Sequence, residues 1–153
     1  MKALQAAKHA CAASGWSLTN LQLQKIIYIA HMVYMGQTGR PLVDDEYFEA
    51  WDYGPVLPSV YRHVSGFGSR PIADVFATVE DSADEAAISN INLAIENLAS
   101  IEPFQLVKIL HDDRSAWLKC YDRNNRNVII SNEEVVDEFR RRFPQNTAEQ
   151  AVE

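Results

Sequence analysis

Thr19-Asn20-Leu21-Gln22-Leu23-Gln24-Lys25-Ile26-Ile27-Tyr28-Ile29-Ala30-His31-Met32-Val33-Tyr34 is the stretch whose reading decides the fold. Leu23, Ile26, Ile27, Ala30, Val33 and Tyr34 recur at i, i+3, i+4 and i+7, while Leu21, Ile29 and Met32 spread the apolar surface beyond one stripe. So broad a face predicts a central core helix. Thr19 stands three residues before Gln22, the capping-box spacing that satisfies open N–H groups, so the helix is expected to begin at about Asn20. Gly36 and Gly39-Arg40-Pro41 read as its stop.

Outward from this helix, Leu4, Ala7 and Cys11 predict a short first helix over Lys2 to Ala13, closed near Ser14-Gly15. On the other side, Tyr47-Phe48-Glu49-Ala50-Trp51 predicts a short strand after a turn-rich Leu42 to Glu46. Its pairing partner is either Ile72 to Val79 or Val128-Ile129-Ile130, and the pattern does not choose between them. Tyr53-Gly54-Pro55 is read as a turn, and Pro58 opens a helix with Val60, Tyr61 and Val64 that ends at Gly66. Ser82 and Glu85 form a second capping-box pattern before Ile88, Ile91, Ile95 and Leu98.

Pro103 opens the next helix, with Phe104, Val107 and Leu110 expected inward, and Ser115 caps a brief one holding Trp117 and Leu118. Asn124-Asn125 marks a turn. Ser131 and Glu134 start a last helix with Val135, Val136, Phe139 and Phe143 inward and Pro144 beyond its end. The expected fold is mainly α, a single compact helical domain over residues 1–144 with a small β-hairpin or short sheet, followed by a polar, frayed tail over 145–153.

Composition narrows the function. The 153 residues suit one domain, and 47% apolar with 23% charged residues is the balance of a folded chain. No apolar run reaches the roughly 20 residues of a membrane span, and the N-terminus lacks a secretory pattern. Cys11 and Cys120, with no CxxC spacing, read as reduced thiols, so a cytoplasmic protein is expected. A formal charge of −7 disfavours a chain that coats nucleic acid. The basic run Arg140-Arg141-Arg142 sits where it complements a helix dipole.

Motifs for catalysis are missing. His9, His31, His63, His111 and the pair Asp112-Asp113 show no metal-ligand spacing, and neither GxGxxG nor GxxxxGK[ST] occurs, so no metal, no nucleotide cofactor and no enzyme are expected. His111-Asp112-Asp113-Arg114-Ser115 holds acid, base and hydroxyl, yet reads more simply as helix-end chemistry, with the two Asp before a cap at Ser115. The first two helices could mimic a helix-turn-helix, which makes a DNA-binding regulator the alternative reading. The second helix offers base edges little beyond Asn20, Gln22, Gln24 and Lys25.

The most distinctive local feature is the aromatic block Tyr47, Phe48, Trp51, Tyr53 and Tyr61 around Gly54-Pro55 and Pro58. Phe48 and Trp51 are read as core. Tyr53 and Tyr61, flanking a rigid turn, have the apolar body and polar tip favoured at protein interfaces.

Three blocks carry a resemblance: Leu23-Gln24-Lys25-Ile26-Ile27-Tyr28, Gly39-Arg40-Pro41-Leu42, and Phe48-Glu49-Ala50-Trp51-Asp52-Tyr53-Gly54-Pro55-Val56. In order and spacing they resemble the Panacea domain family, also described as phage-associated GepA-like proteins, and the likeness continues through Pro58, Val60, Tyr61, His111, Trp117 and the last helix. The chain departs at Gln22-Leu23-Gln24, where members often carry a second lysine, and at Ser115-Ala116-Trp117, where a Pro-Trp pair is common.

The resemblance implies a non-catalytic antitoxin of a toxin-antitoxin system, often of prophage or mobile-element origin. Such a protein neutralises a cognate toxin by direct contact, and some members present it to a protease. Carried over residue by residue, the partner-binding candidates are Trp51, Asp52, Tyr53, Gly54, Pro55, Val56, Tyr61, His111 and Trp117. The expected mechanism masks a cationic toxin surface with acidic groups such as Asp44, Asp45, Glu46, Glu80, Asp81, Asp84 and Glu85.

Overall fold

A computed structural model describes residues 1–144, and the tail expected over 145–153 lies outside the described residues. Helix α1 spans Ala3–Ala13 and α2 Asn20–Thr38. The capping box at Thr19 forms as its spacing predicts: the Thr19 hydroxyl accepts from Gln22 N–H, and the Gln22 side chain returns to the Thr19 N–H at 3.0 Å. Twelve residues of α2 are buried, from Asn20 to Met35, and α1 and the later helices over Glu85–Leu98, Pro103–Leu110 and Asn132–Arg142 all pack on it. It is the central helix that its broad apolar face predicts.

Gly36 does not stop α2. The helix runs through it, because Phe139 packs against this turn and its ring occupies the space that a side chain at Gly36 would need. The stop is Gly39, whose φ of 74° is left-handed and whose N–H bonds the Met35 carbonyl at 2.8 Å.

Strands β1 (Phe48–Trp51), β2 (Gly54–Val56) and β3 (Ile129–Ile130) form one antiparallel sheet in the order β2-β1-β3. The turn read at Tyr53-Gly54-Pro55 therefore sits one step earlier: Trp51 pairs with Gly54, leaving Asp52-Tyr53 as the hairpin tip. The outer pairing falls to the Val128-Ile129-Ile130 segment, with Ala50 N–H on the Val128 carbonyl at 2.9 Å. Ile72 is instead a buried core residue whose N–H bonds the Leu18 carbonyl.

Helix α3 (Pro58–Val64) continues as a 3₁₀ turn over Ser65–Phe67, and α4 spans Glu85–Leu98. Asp84, not Ser82, caps α4, accepting from Ala87 N–H at 3.1 Å; Ser82 is one bond upstream, accepting from Asp84 N–H. Asp caps as well as Ser and adds a charge at the positive helix end.

In α5 (Pro103–Leu110), Leu106, Val107 and Leu110 are buried but Phe104 is 55% exposed. At about 100° per residue Phe104 lies roughly 120° round the helix from the centre of that apolar arc, so it faces out. Ser115 caps α6 (Ala116–Cys120), accepting from Leu118 N–H at 3.1 Å, while Leu118 itself is exposed. Ser131 caps α7 (Asn132–Arg142), where Val135 and Phe139 are buried, Val136 is half-buried, and Phe143 is exposed beside the Phe139 ring at 5.0 Å.

The basic run at the end of α7 does more than complement a dipole. Arg142 bonds Glu138 at 2.7 Å, both carboxylate oxygens of Asp112 at 3.0 and 3.1 Å, and the Ile109 carbonyl. Glu138, wholly buried, also accepts from Tyr28 Oη at 2.6 Å and Ala116 N–H at 2.9 Å. This network ties α7 and the α5–α6 turn to α2. It also claims Asp112, which pairs with Arg114 and Arg142 rather than favouring the α6 N-terminus. Among the described residues no helix is long and apolar enough to cross a membrane.

Candidate partner-binding cleft

Lys25, on the face of α2 beneath the hairpin, is fully buried, and its Nζ donates to the Pro55 carbonyl at 2.9 Å. Gly54 is required above it for two reasons. Its φ is 112°, and a Cβ there would sit 3.1 Å from Lys25 Cε and 3.5 Å from His111 Nε2. Lys25 has no carboxylate in an ion pair with it among the described residues, and burial lowers its pKa from 10.5 to about 7.

His111 stacks flat on Trp117, with centroids 3.7 Å apart, and Trp117 stacks on Tyr121 at 4.5 Å. Trp117 Nε1 donates to the Trp51 carbonyl at 2.6 Å, and Tyr121 Oη donates to Asp52 Oδ1 at 2.6 Å. The stack thus clamps the hairpin tip from behind. Burial first, then the Lys25 ammonium, lower the His111 pKa, with the Tyr53 backbone opposing, which favours the neutral ring.

In front of the hairpin lies a cleft of about 660 Å³. Its floor is polar: Asn20, Gln24 and Lys25, each buried. Gln24 is spent on the backbone, accepting from Leu57 N–H at 2.8 Å and donating to the Leu57 carbonyl at 3.4 Å. The aromatic lining comes in two edge-to-face pairs, Trp51 with Tyr61 at 4.9 Å and Tyr53 with Phe104 at 6.1 Å. Arg126 lays its guanidinium 3.7 Å over the Trp51 ring, and Arg123 stands nearby on the rim.

The nine residues carried over from the resemblance therefore divide. Trp51, Asp52, Tyr53, Val56 and Tyr61 line the cleft. Gly54 and Pro55 are buried over Lys25, which donates to the Pro55 carbonyl, while His111 and Trp117 support the hairpin from its rear. Trp51, read as core, is half-buried and faces the cleft; Phe48 is core, 1% exposed. Phe104, Arg123 and Arg126 went unread as site residues. An exposed phase on α5 could have flagged Phe104, but nothing local places the arginines beside Trp51.

The fold also places the polar residues of α2 and the acidic groups. Asn20, Gln24 and Lys25 are buried, and Gln22 is half-buried in its cap with its amide 3.4 Å from the Ala99 and Ile101 carbonyls, so α2 presents none of them freely to a base edge. Several acidic groups expected to mask a toxin have local roles. Asp45 accepts from Ala3 N–H, Glu46 from Ser59 N–H, Asp81 pairs with Lys8 at 3.0 Å, and Asp84 caps α4. The four histidines are dispersed: His9 bonds Asn92, buried His31 accepts from Val43 N–H, and His63 bonds the Val75 carbonyl. No group of three or more metal-ligating side chains comes together among the described residues.

The family model described as "Antitoxin SocA-like, Panacea domain" matches residues 23–118. The chain belongs to this Panacea family. The matched span runs from within α2 into α6, so it contains Lys25, the hairpin, Tyr61, Phe104, His111 and Trp117, and leaves out Arg123 and Arg126. A relative named antitoxin SocA, from Caulobacter vibrioides (strain NA1000 / CB15N), is 32% identical over 110 residues. That alignment covers 65% of this chain and 58% of the relative, so the chain spans little more than half of that protein's length. No solved structure matches the chain.

Proposed function

We propose that this chain is the antitoxin of a toxin-antitoxin system, that it neutralises a cognate toxin by binding it directly, and that it works in the cytoplasm without catalysis. The observation that supports this best is the cleft in a Panacea chain whose relative is named an antitoxin. Tyr53 and Phe104 are 59% and 55% exposed there, large aromatic surface that the core does not use. Aromatic anchors around a concave, partly polar floor are the composition of a binding hot spot. A standard protein interface buries about 1,600 Å² in total, so a toxin would cover the cleft and its surroundings together.

The test is co-expression of the chain with the product of its neighbouring gene. Growth arrest by the neighbour alone, relief by this chain, and a stoichiometric complex on gel filtration are the expected results. Relief without a complex, or a neighbour that is harmless alone, refutes the proposal. Toxin that accumulates in the complex supports masking, whereas toxin that disappears only in a protease-proficient host supports delivery to a protease. The regulator reading predicts salt-sensitive retention of duplex DNA by the isolated chain.

A further inference from the structure

We propose that the cleft receives an acidic segment of the partner protein, in which a carboxylate stands next to an aromatic or apolar side chain. This rests on the antitoxin reading and adds the chemistry of what is bound. It reverses the polarity expected from overall charge: the chain carries −7, yet the exposed charges that line the cleft are Arg123 and Arg126 against Asp52 alone. Asp52 is already engaged by the Tyr121 hydroxyl. Neither Arg123 nor Arg126 is in an ion pair among the described residues.

The floor offers donors. Lys25, fully buried, spends its Nζ on the Pro55 carbonyl, which leaves the donor role to its neighbour. Asn20 uses its side-chain oxygen to accept from Gln24, and its amide N–H groups make no bond among the described residues. The first turn of α2 also lines the cleft through Asn20 and Leu21, adding the positive end of a 19-residue helix. An acceptor with negative charge satisfies both the Asn20 amide and the helix end, and a lysine or arginine from the partner satisfies neither.

Beside these donors stand Tyr53 and Phe104, at an edge-to-face distance that leaves both rings exposed. They suit an aromatic or branched apolar neighbour of the carboxylate. Arg126 is held 3.7 Å over the Trp51 ring and is in no ion pair among the described residues, so its N–H fork is open to a bidentate carboxylate. A nucleic-acid strand shares the negative charge and the stacking, but two exposed arginines at a cleft of about 660 Å³ on an acidic chain are few for a polyanion.

The test titrates the isotope-labelled full chain with three blocked heptapeptides that differ only in the two positions flanking a central Phe: Asp, Asn or Lys. The Asp peptide is expected to shift the Trp51 indole and hairpin signals, to bind at least about tenfold more tightly than the Asn peptide, and to weaken with salt. The Arg123→Ser/Arg126→Ser double variant, whose altered side chains are exposed, should lose most of that preference while keeping its melting temperature. Equal binding of the Asn or Lys peptide, shifts elsewhere, no shift at millimolar Asp peptide, or cleft shifts given only by a short single-stranded oligonucleotide overturns the proposal. In the co-expression assay, Arg126→Glu should fail to relieve the arrest that the unaltered chain relieves. Relief by both overturns the cleft chemistry and leaves the antitoxin reading standing. If the unaltered chain binds no neighbour, the antitoxin reading falls, and the peptide titration alone decides the cleft.

Discussion

Replacing Lys25 with Met tests how the buried amine is accommodated. Burial lowers the Lys25 pKa from 10.5 to about 7, a gap that corresponds to roughly 5 kcal/mol of differential cost for the charged form. Below about pH 7 the amine is protonated in both folded and unfolded chains, and the full cost of burying it opposes folding. Above that, the folded amine is neutral while the unfolded one keeps its proton up to about 10.5, so folding releases a proton and rising pH favours the folded state. Between about pH 7 and about pH 9.5 the natural chain should therefore gain roughly 3 kcal/mol relative to Lys25→Met.

Met fills a similar volume and removes the charge, at the loss of one bond to the Pro55 carbonyl worth about 1 kcal/mol. At about pH 7 the variant should be at least as stable as the natural chain. The assay is urea unfolding followed by tryptophan fluorescence at several pH values for both proteins. Taking the difference cancels groups common to both, including Tyr28, whose pKa is raised well above 10.0 by burial and by Glu138. Parallel pH curves, or a Met variant destabilised by more than about 2 kcal/mol at every pH, would refute the reasoning that the amine is held in a dry site without a countercharge.

Other substitutions probe the rest of the frame. Gly36→Ala places a methyl group where the Phe139 ring sits and should cost about 1–3 kcal/mol in denaturant unfolding, partly restored by Phe139→Leu in the same chain. Tyr28→Phe removes one of three partners from Glu138 and should cost about 1–2 kcal/mol, because Ala116 N–H and Arg142 remain. Glu138→Ala leaves the Arg142 guanidinium with Asp112 and the Ile109 carbonyl in a mostly buried place, and a loss of about 3 kcal/mol or more is expected on the same measurement. Tyr53→Ala and Phe104→Ala should change stability by less than about 0.5 kcal/mol, since both side chains are largely exposed. Each should weaken toxin binding about tenfold or more by calorimetry.

Much of the fold was legible because its signals are local. The Thr19–Gln22 cap, the apolar phase of α2, the Ser115 and Ser131 caps and the Pro at the start of α3 and α5 each depend on residues within one helical turn of each other. Misreadings arose where a distant contact overrode such a signal. Gly36 looks like a helix stop until Phe139, a hundred residues on, is known to occupy its empty side. Gly54-Pro55 looks like a turn until β1 draws it into a ladder.

The same division runs through the cleft. Its aromatic block and the signature Lys25, Gly54 and Pro55 are visible in order along the chain, and so is membership of the Panacea family. Sequence by itself determined that an amphipathic helical domain forms around α2 and that aromatic residues cluster at one hairpin, since both follow from periodicity and spacing. Only tertiary structure decided that Lys25 is buried rather than offered to solvent, that His111 and Trp117 brace the hairpin from behind, and that Phe104, Arg123 and Arg126 close on its front. Burial and charge environment are sums over neighbours brought together by chain folding, and those neighbours come from three separate parts of the sequence.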